Sequence, residues 1–236
     1  MSSTINTPPA VEYPDSDGQP MADNTLQFEW IVALQGNLDT LFRDRPDVFV
    51  AGDHLIYPVE GDNTVRQAPD AYVAFGRPKG HRGSYRVWEE GDVFPQVVFE
   101  VLSPGNRAGE MARKRAFYQK YGAEEYYVID PDDSTAEGWT RDGDTFRKVP
   151  AMNGHVSPRL GIRFEVADGR VTVYHPNGDR FLTFVEVATR AEEEHQRAED
   201  AKQQAEQERQ RAEGAKQKAE RLAAKLRALG VDPDTV

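Results

Sequence analysis

Val97-Val98-Phe99-Glu100-Val101-Leu102 is apolar at every position but one. A short run rich in Val and Phe reads as a strand buried on both faces, the kind found where helices cover a sheet. Glu100 is the anomaly in it. A carboxylate there costs several kcal/mol to desolvate unless it is paired, protonated or bound to a metal. Pro69-Asp70 opens a second short run, Ala71-Tyr72-Val73-Ala74-Phe75. Two carboxylates on neighbouring buried strands point to a divalent metal site.

The 236 residues, 38% hydrophobic, suffice for one core with an appendage. With no cysteine, disulfides, thiolate metal sites and a cysteine nucleophile are excluded, which fits a reducing cytoplasm. The N-terminus lacks a charged-then-apolar leader, and no apolar stretch approaches the ~18 residues of a membrane span. A soluble, cytoplasmic protein is expected. Net charge is −11, and it is unevenly spread: residues 187–236 hold 10 Lys and Arg against 11 Asp and Glu, the remainder 19 against 29. So acidic a globular part repels phosphate, and any nucleic-acid role must rest on a local basic surface.

Residues 1–23, rich in Pro, Ser, Asp and Gly, read as a flexible arm. Asn24 or Thr25 caps a helix through about Phe42, with Leu26, Trp30, Ile31, Leu34, Leu38, Leu41 and Phe42 along one side, and Asp44-Arg45-Pro46 stops it. Val48 to Val59 reads as a bent strand, followed by strands at 71–75 and 96–102. Ser103-Pro104-Gly105-Asn106 then turns into a helix of about 107–121, and Glu125-Tyr126-Tyr127-Val128-Ile129 is the next strand. This order implies a mixed α/β sheet with a parallel crossover around the second helix. Short strands with turns fill 137–185, closing a domain of 24–185.

Residues 186–236 form a separate helical tail. Ala191, Ala198, Ala205, Ala212, Ala219 and Leu226 recur every seventh residue, with Glu194, Ala201, Glu208, Ala215, Leu222 and Leu229 as the complementary line. That is a coiled-coil-like helix of roughly 65 Å. Its alanine-rich seam over 186–229 allows weak homo-oligomerisation or a partner helix.

On a wheel of 107–121, Met111, Phe117, Tyr118 and Tyr121 form an apolar arc with Lys114 near its centre and Glu110 at its edge. A lysine facing the sheet needs an anion; the alternative is a surface pair with Glu110. Asp70, Glu100 and Lys114 together have a chemical logic: two carboxylates can hold Mg²⁺ or Mn²⁺, and a lysine can orient or deprotonate water or stabilise developing charge. The loop of Arg77, Lys79, Arg82 and Arg86 is either a phosphate-gripping element, extended by Arg107, or a solvated charged loop.

Pro69-Asp70, Phe99-Glu100-Val101-Leu102-Ser103-Pro104, Lys114 with Phe117-Tyr118, and Glu125 to Pro131 resemble the Uma-type putative restriction endonuclease family of the PD-(D/E)XK nuclease superfamily. The resemblance covers roughly residues 25–185. It implies a restriction-endonuclease-like α/β core, with a mixed sheet flanked by helices, and a metal-dependent DNA endonuclease that cleaves phosphodiesters through a metal-activated water. By position, Asp70 and Glu100 become metal ligands, and Lys114 the catalytic lysine, displaced to the helix because Leu102 fills its usual strand position. Glu29 is either an auxiliary acid, as in some superfamily members, or an exposed helix residue; Asp53 reads as a turn or bulge carboxylate. The competing function is an inactive nuclease fold acting as a binding or scaffold protein through its tail.

Overall fold

The computed structural model describes residues 11–105 and 108–230. It divides into two units, Met1–Phe184 and Val185–Val236. In the first, helix α1 spans Thr25–Leu41, and Asn24 caps it by accepting the amide of Gln27 at 2.8 Å. Gln27, Ile31, Leu34 and Leu38 form its buried stripe, the 4-3-4 spacing of one helix face.

Strands β1 (Val48–Ala51), β2 (Ile56–Tyr57), β3 (Ala71–Phe75), β4 (Tyr85–Arg86) and β5 (Val97–Val101) follow. Next come helix α2 (Ala108–Tyr121), β6 (Glu125–Asp130), β7 (Thr135–Asp142), β8 (Thr145–Lys148), β9 (Arg163–Ala167) and β10 (Arg170–Tyr174). Six strands make the main sheet, in the order β1-β3-β5-β6-β7-β8. Only β5 and β6 run parallel within it, so the connection between them must cross over, and α2 makes that crossing. The mixed α/β sheet expected from the order of elements is therefore present.

Two corrections concern β structure around this sheet. The bent strand of 48–59 is two strands broken at Gly52-Asp53, where Asp53 adopts a left-handed φ of 44°. β2 leaves the main sheet and pairs in parallel with β4 instead. The β9–β10 hairpin turns on Asp168 and Gly169, both at positive φ, the conformation that lets a two-residue loop follow strand twist.

Strand alternation sorts the core into two layers. Val73, Val97, Phe99, Val101, Tyr127 and Ile129 pack with Ile31, Leu34 and Leu38 of α1. Tyr72, Ala74, Val98, Tyr126 and Val128 pack with Tyr118 of α2. Glu100 falls in the second register, which aims it at α2.

Residues 11–23 contain no helix or strand but are held by specific contacts; 1–10 lie outside the described residues. The helix α3, Phe184–Ala228, begins at the last residue of the first unit and makes up the described part of the second to Ala228; it is about 68 Å long at 1.5 Å per residue, with no buried residue. No helix among the described residues is long and apolar enough to cross a membrane.

Candidate active site

The last residue pair between β3 and β5 is Ala71 with Phe99, so one step further the antiparallel register sets Asp70 opposite Glu100. Both side chains then point to the α2 face. Like charges directly opposite across strands repel, so this pair needs a counter-charge.

Lys114 supplies one. Its Nζ donates to Glu100 Oε2 at 2.7 Å, with 18% of the lysine side chain and 2% of the glutamate side chain exposed. One turn further along α2, the buried Tyr118 hydroxyl donates to Glu100 Oε1 at 2.6 Å. Residues 114 and 118 share a helix face, which is why both reach the same carboxylate. Asp70 Oδ2 accepts the backbone amide of Val101 at 2.6 Å. On the α1 side, buried Gln27 donates to the carbonyl of the same residue, Val101, at 2.8 Å. The β5 end is thus held from both faces.

Burial, and then the charge of Glu100, push the Asp70 carboxyl well above its ordinary range, against the pull of the Val101 amide and Lys114. Burial alone would pull the Lys114 ammonium down, but Glu100 and Asp70 more than offset it and the net direction is upward. The Tyr118 phenol is driven far up by burial and by the adjacent carboxylate. Asp53 is also raised, by burial first and then by Asp17, with Lys114 opposing. An added Cβ on Gly52 would lie 2.9 Å from the carbonyl oxygen of Asp70, which shows how closely the β1–β2 turn approaches the site.

Among the described residues no three His, Asp or Glu side chains stand close enough to share an ion. The carboxylates that could hold a cation at this place are the Asp70–Glu100 pair. Two hard carboxylate oxygen donors facing each other fit Mg²⁺ or Mn²⁺, which keep several waters of their own.

The structure brings together Asp70, Glu100 and Lys114; Lys114 turns to Glu100, not outward to a surface pair. Glu29 is exposed on α1, and the residue there that reaches β5 is Gln27. In the basic loop, Arg77 bonds the carbonyls of Gly76 and Glu90, and Lys79 pairs with Asp39 at 2.6 Å. Arg82 pairs with Glu90 and lies over the Phe49 ring, while Arg86 pairs with Glu89 at 3.1 Å. These four cations have partners within the fold, and Arg107 lies outside the described residues. Sequence reasoning missed Tyr118 and Gln27 as site residues. The i,i+4 spacing from Lys114 marks Tyr118, and a polar residue in the buried stripe of α1 marks Gln27.

The family model described as Uma2, putative restriction endonuclease, matches residues 3–162. Among solved structures, the chain is similar to a putative nuclease belonging to DUF820 from Anabaena variabilis, at 13% identity and a TM-score of 0.43, covering 57% of this chain and 72% of that one. No curated protein matches. Asp70, Glu100 and Lys114 all lie inside the matched span, which takes in about two thirds of the sequence, and the chain belongs to the Uma2 family of putative restriction endonucleases.

Proposed function

We propose that the protein is a metal-dependent DNA endonuclease in which Asp70 and Glu100 hold Mg²⁺ or Mn²⁺ and Lys114 is the catalytic lysine. The observation that carries this is the reach of Lys114 from α2 to Glu100, beside Asp70, while Leu102 occupies the strand position two residues on. A divalent ion held there would supply a water of lowered pKa and offset charge on the scissile phosphate. Lys114, kept protonated by its two carboxylates, acts as a donor: its ammonium orients the phosphate and stabilises charge developing on it. Tyr118 fixes the second oxygen of Glu100, so the carboxylate presents one orientation. The Val101 amide does the same for Asp70.

A second reading, a nuclease fold retained without activity that works through its helical tail, is favoured by one observation: both oxygens of Glu100 already have donors in the fold. Calorimetric titration with Mn²⁺ separates the two. The nuclease reading expects saturable binding that Glu100→Ala abolishes, while a well-folded protein that binds no Mn²⁺ supports the scaffold.

A further inference from the structure

The segment Glu12–Asp17 is held in a groove by contacts of an uncommon kind for a terminal arm. The Tyr13 ring meets Tyr57 edge-on, with centroids 5.1 Å apart, and packs on Trp88 at 4.9 Å. The Arg86 guanidinium lies 5.2 Å from the same ring centre. Around it the groove offers fixed donors. Gly61 gives its amide to the Tyr13 hydroxyl at 2.5 Å, Asn63 its side-chain amide to the Glu12 carbonyl at 2.7 Å, and Tyr57 its hydroxyl to the Pro14 carbonyl at 2.7 Å. Asp15 then lies so close to Gly83 that a Cβ there would overlap its carboxylate. From Val11 to Asn24 the chain holds Glu12, Asp15, Asp17 and Asp23 with no Lys or Arg.

An aromatic ring held edge-on to Tyr57, tilted 54° to Trp88 and beneath a guanidinium, with anions at the following steps, has the chemistry of a base enclosed by aromatic side chains and followed by its phosphates. The chain that follows the strap leads toward the candidate active site, since Ser103, three residues beyond Glu100, donates its hydroxyl to Asp23 at 2.6 Å. We infer that the groove lined by Tyr57, Asn63, Gly83, Arg86 and Trp88 is a binding site for a single-stranded nucleic-acid segment, occupied in cis by the acidic strap Glu12–Asp17. This rests on the nuclease reading above: the strap is a displaceable stand-in for substrate, and it lowers activity until a strand replaces it.

The test is fluorescence anisotropy of a short labelled oligothymidylate with the full-length protein, at low salt and in EDTA so that cleavage cannot contribute. A variant with Glu12→Gln, Asp15→Asn and Asp17→Asn keeps the Tyr13 anchor and binds roughly tenfold tighter than wild type, as loss of three like charges from a phosphate path requires. Adding Trp88→Leu removes that gain. Gly83→Ala, which dislodges Asp15 without removing charge, shifts affinity in the same direction. Equal affinities for wild type and the charge variant, or a gain that survives Trp88→Leu, overturn the assignment. Failure of the parent reading looks different. If the charge variant binds tighter but neither protein cuts with Mg²⁺, the groove stands and the nuclease falls. If wild type cuts while binding ignores the strap, the reverse holds.

Discussion

Replacing Lys114 by methionine keeps an unbranched stem out to Cε and removes the ammonium from a carboxylate that is 2% exposed. Breaking a buried pair by deleting one partner costs about 3–5 kcal/mol, because the other charge is left desolvated. Two features set this case near the low end. Lys114 retains 18% exposure, so water reaches the gap, and Tyr118 still donates to Glu100. A loss of about 3 kcal/mol is expected, a large share of the ~5–15 kcal/mol that holds a domain together. The deficit must also depend on pH. With the ammonium gone, the Asp70 carboxyl, already held above its ordinary range by burial and by Glu100, loses an opposing cation and binds a proton more readily in the folded state, so the variant recovers stability as pH falls. Urea unfolding of wild type, Lys114→Met, Glu100→Gln and the double variant closes a cycle, with a coupling of about 2–3 kcal/mol expected for groups in contact. A coupling below about 0.5 kcal/mol, with all four proteins folded, refutes the buried pair and the geometry built on it.

Three further expectations follow from other contacts. Tyr118→Phe strips one donor from a buried carboxylate oxygen and should cost about 1–3 kcal/mol in the same assay; an unchanged midpoint would mean that water or another group already serves Glu100. His54 Nε2 donates to the Arg82 carbonyl at 3.1 Å, and in the neutral ring Nδ1 accepts from the Tyr72 hydroxyl at 2.6 Å. Burial lowers its pKa, so its contribution to stability is present above the unfolded value of ~6.5 and is lost as pH falls through the folded one. Wild type should therefore weaken over that window relative to His54→Asn, and parallel profiles count against it. Ending the chain after residue 184 removes a helix in which no residue is buried, so the midpoint of the remaining unit should hold within about 0.5 kcal/mol. A larger loss contradicts the independence of the first unit, and an unchanged mass in solution removes self-association through the tail.

What the sequence made legible was whatever repeats. The unbroken apolar run of Val97–Leu102 singled out Glu100, and the 3-4 spacing of Ile31, Leu34 and Leu38 gave α1 its buried side. The seven-residue recurrence of alanine gave α3, one unbroken helix of 45 residues. What stayed hidden depends on partners far apart in the chain. Glu125 looked like one more strand residue, yet it is buried with donors from Tyr127, Ser157 and the Arg159 amide, the last two more than thirty residues away. The arm read as flexible because its composition buries little; its anchors are one aromatic ring and two backbone carbonyls, which leave no pattern in composition. Asp53 read as a turn residue, which its positive φ makes it, but tertiary packing also brings that turn against Asp70. The basic loop showed its charges plainly, whereas Asp39, Glu89 and Glu90, which pair with three of them, could be assigned only once the chain was folded.

If Asp70, Glu100 and Lys114 form a metal-dependent nuclease centre, the protein cuts supercoiled plasmid. Wild-type protein with Mg²⁺ or Mn²⁺ should convert the plasmid to open-circular or linear form and should do nothing in EDTA. Glu100→Ala and Lys114→Ala, each checked for folding, should leave the plasmid intact. Cleavage that persists in both substituted proteins, or that proceeds equally well in EDTA, contradicts the account.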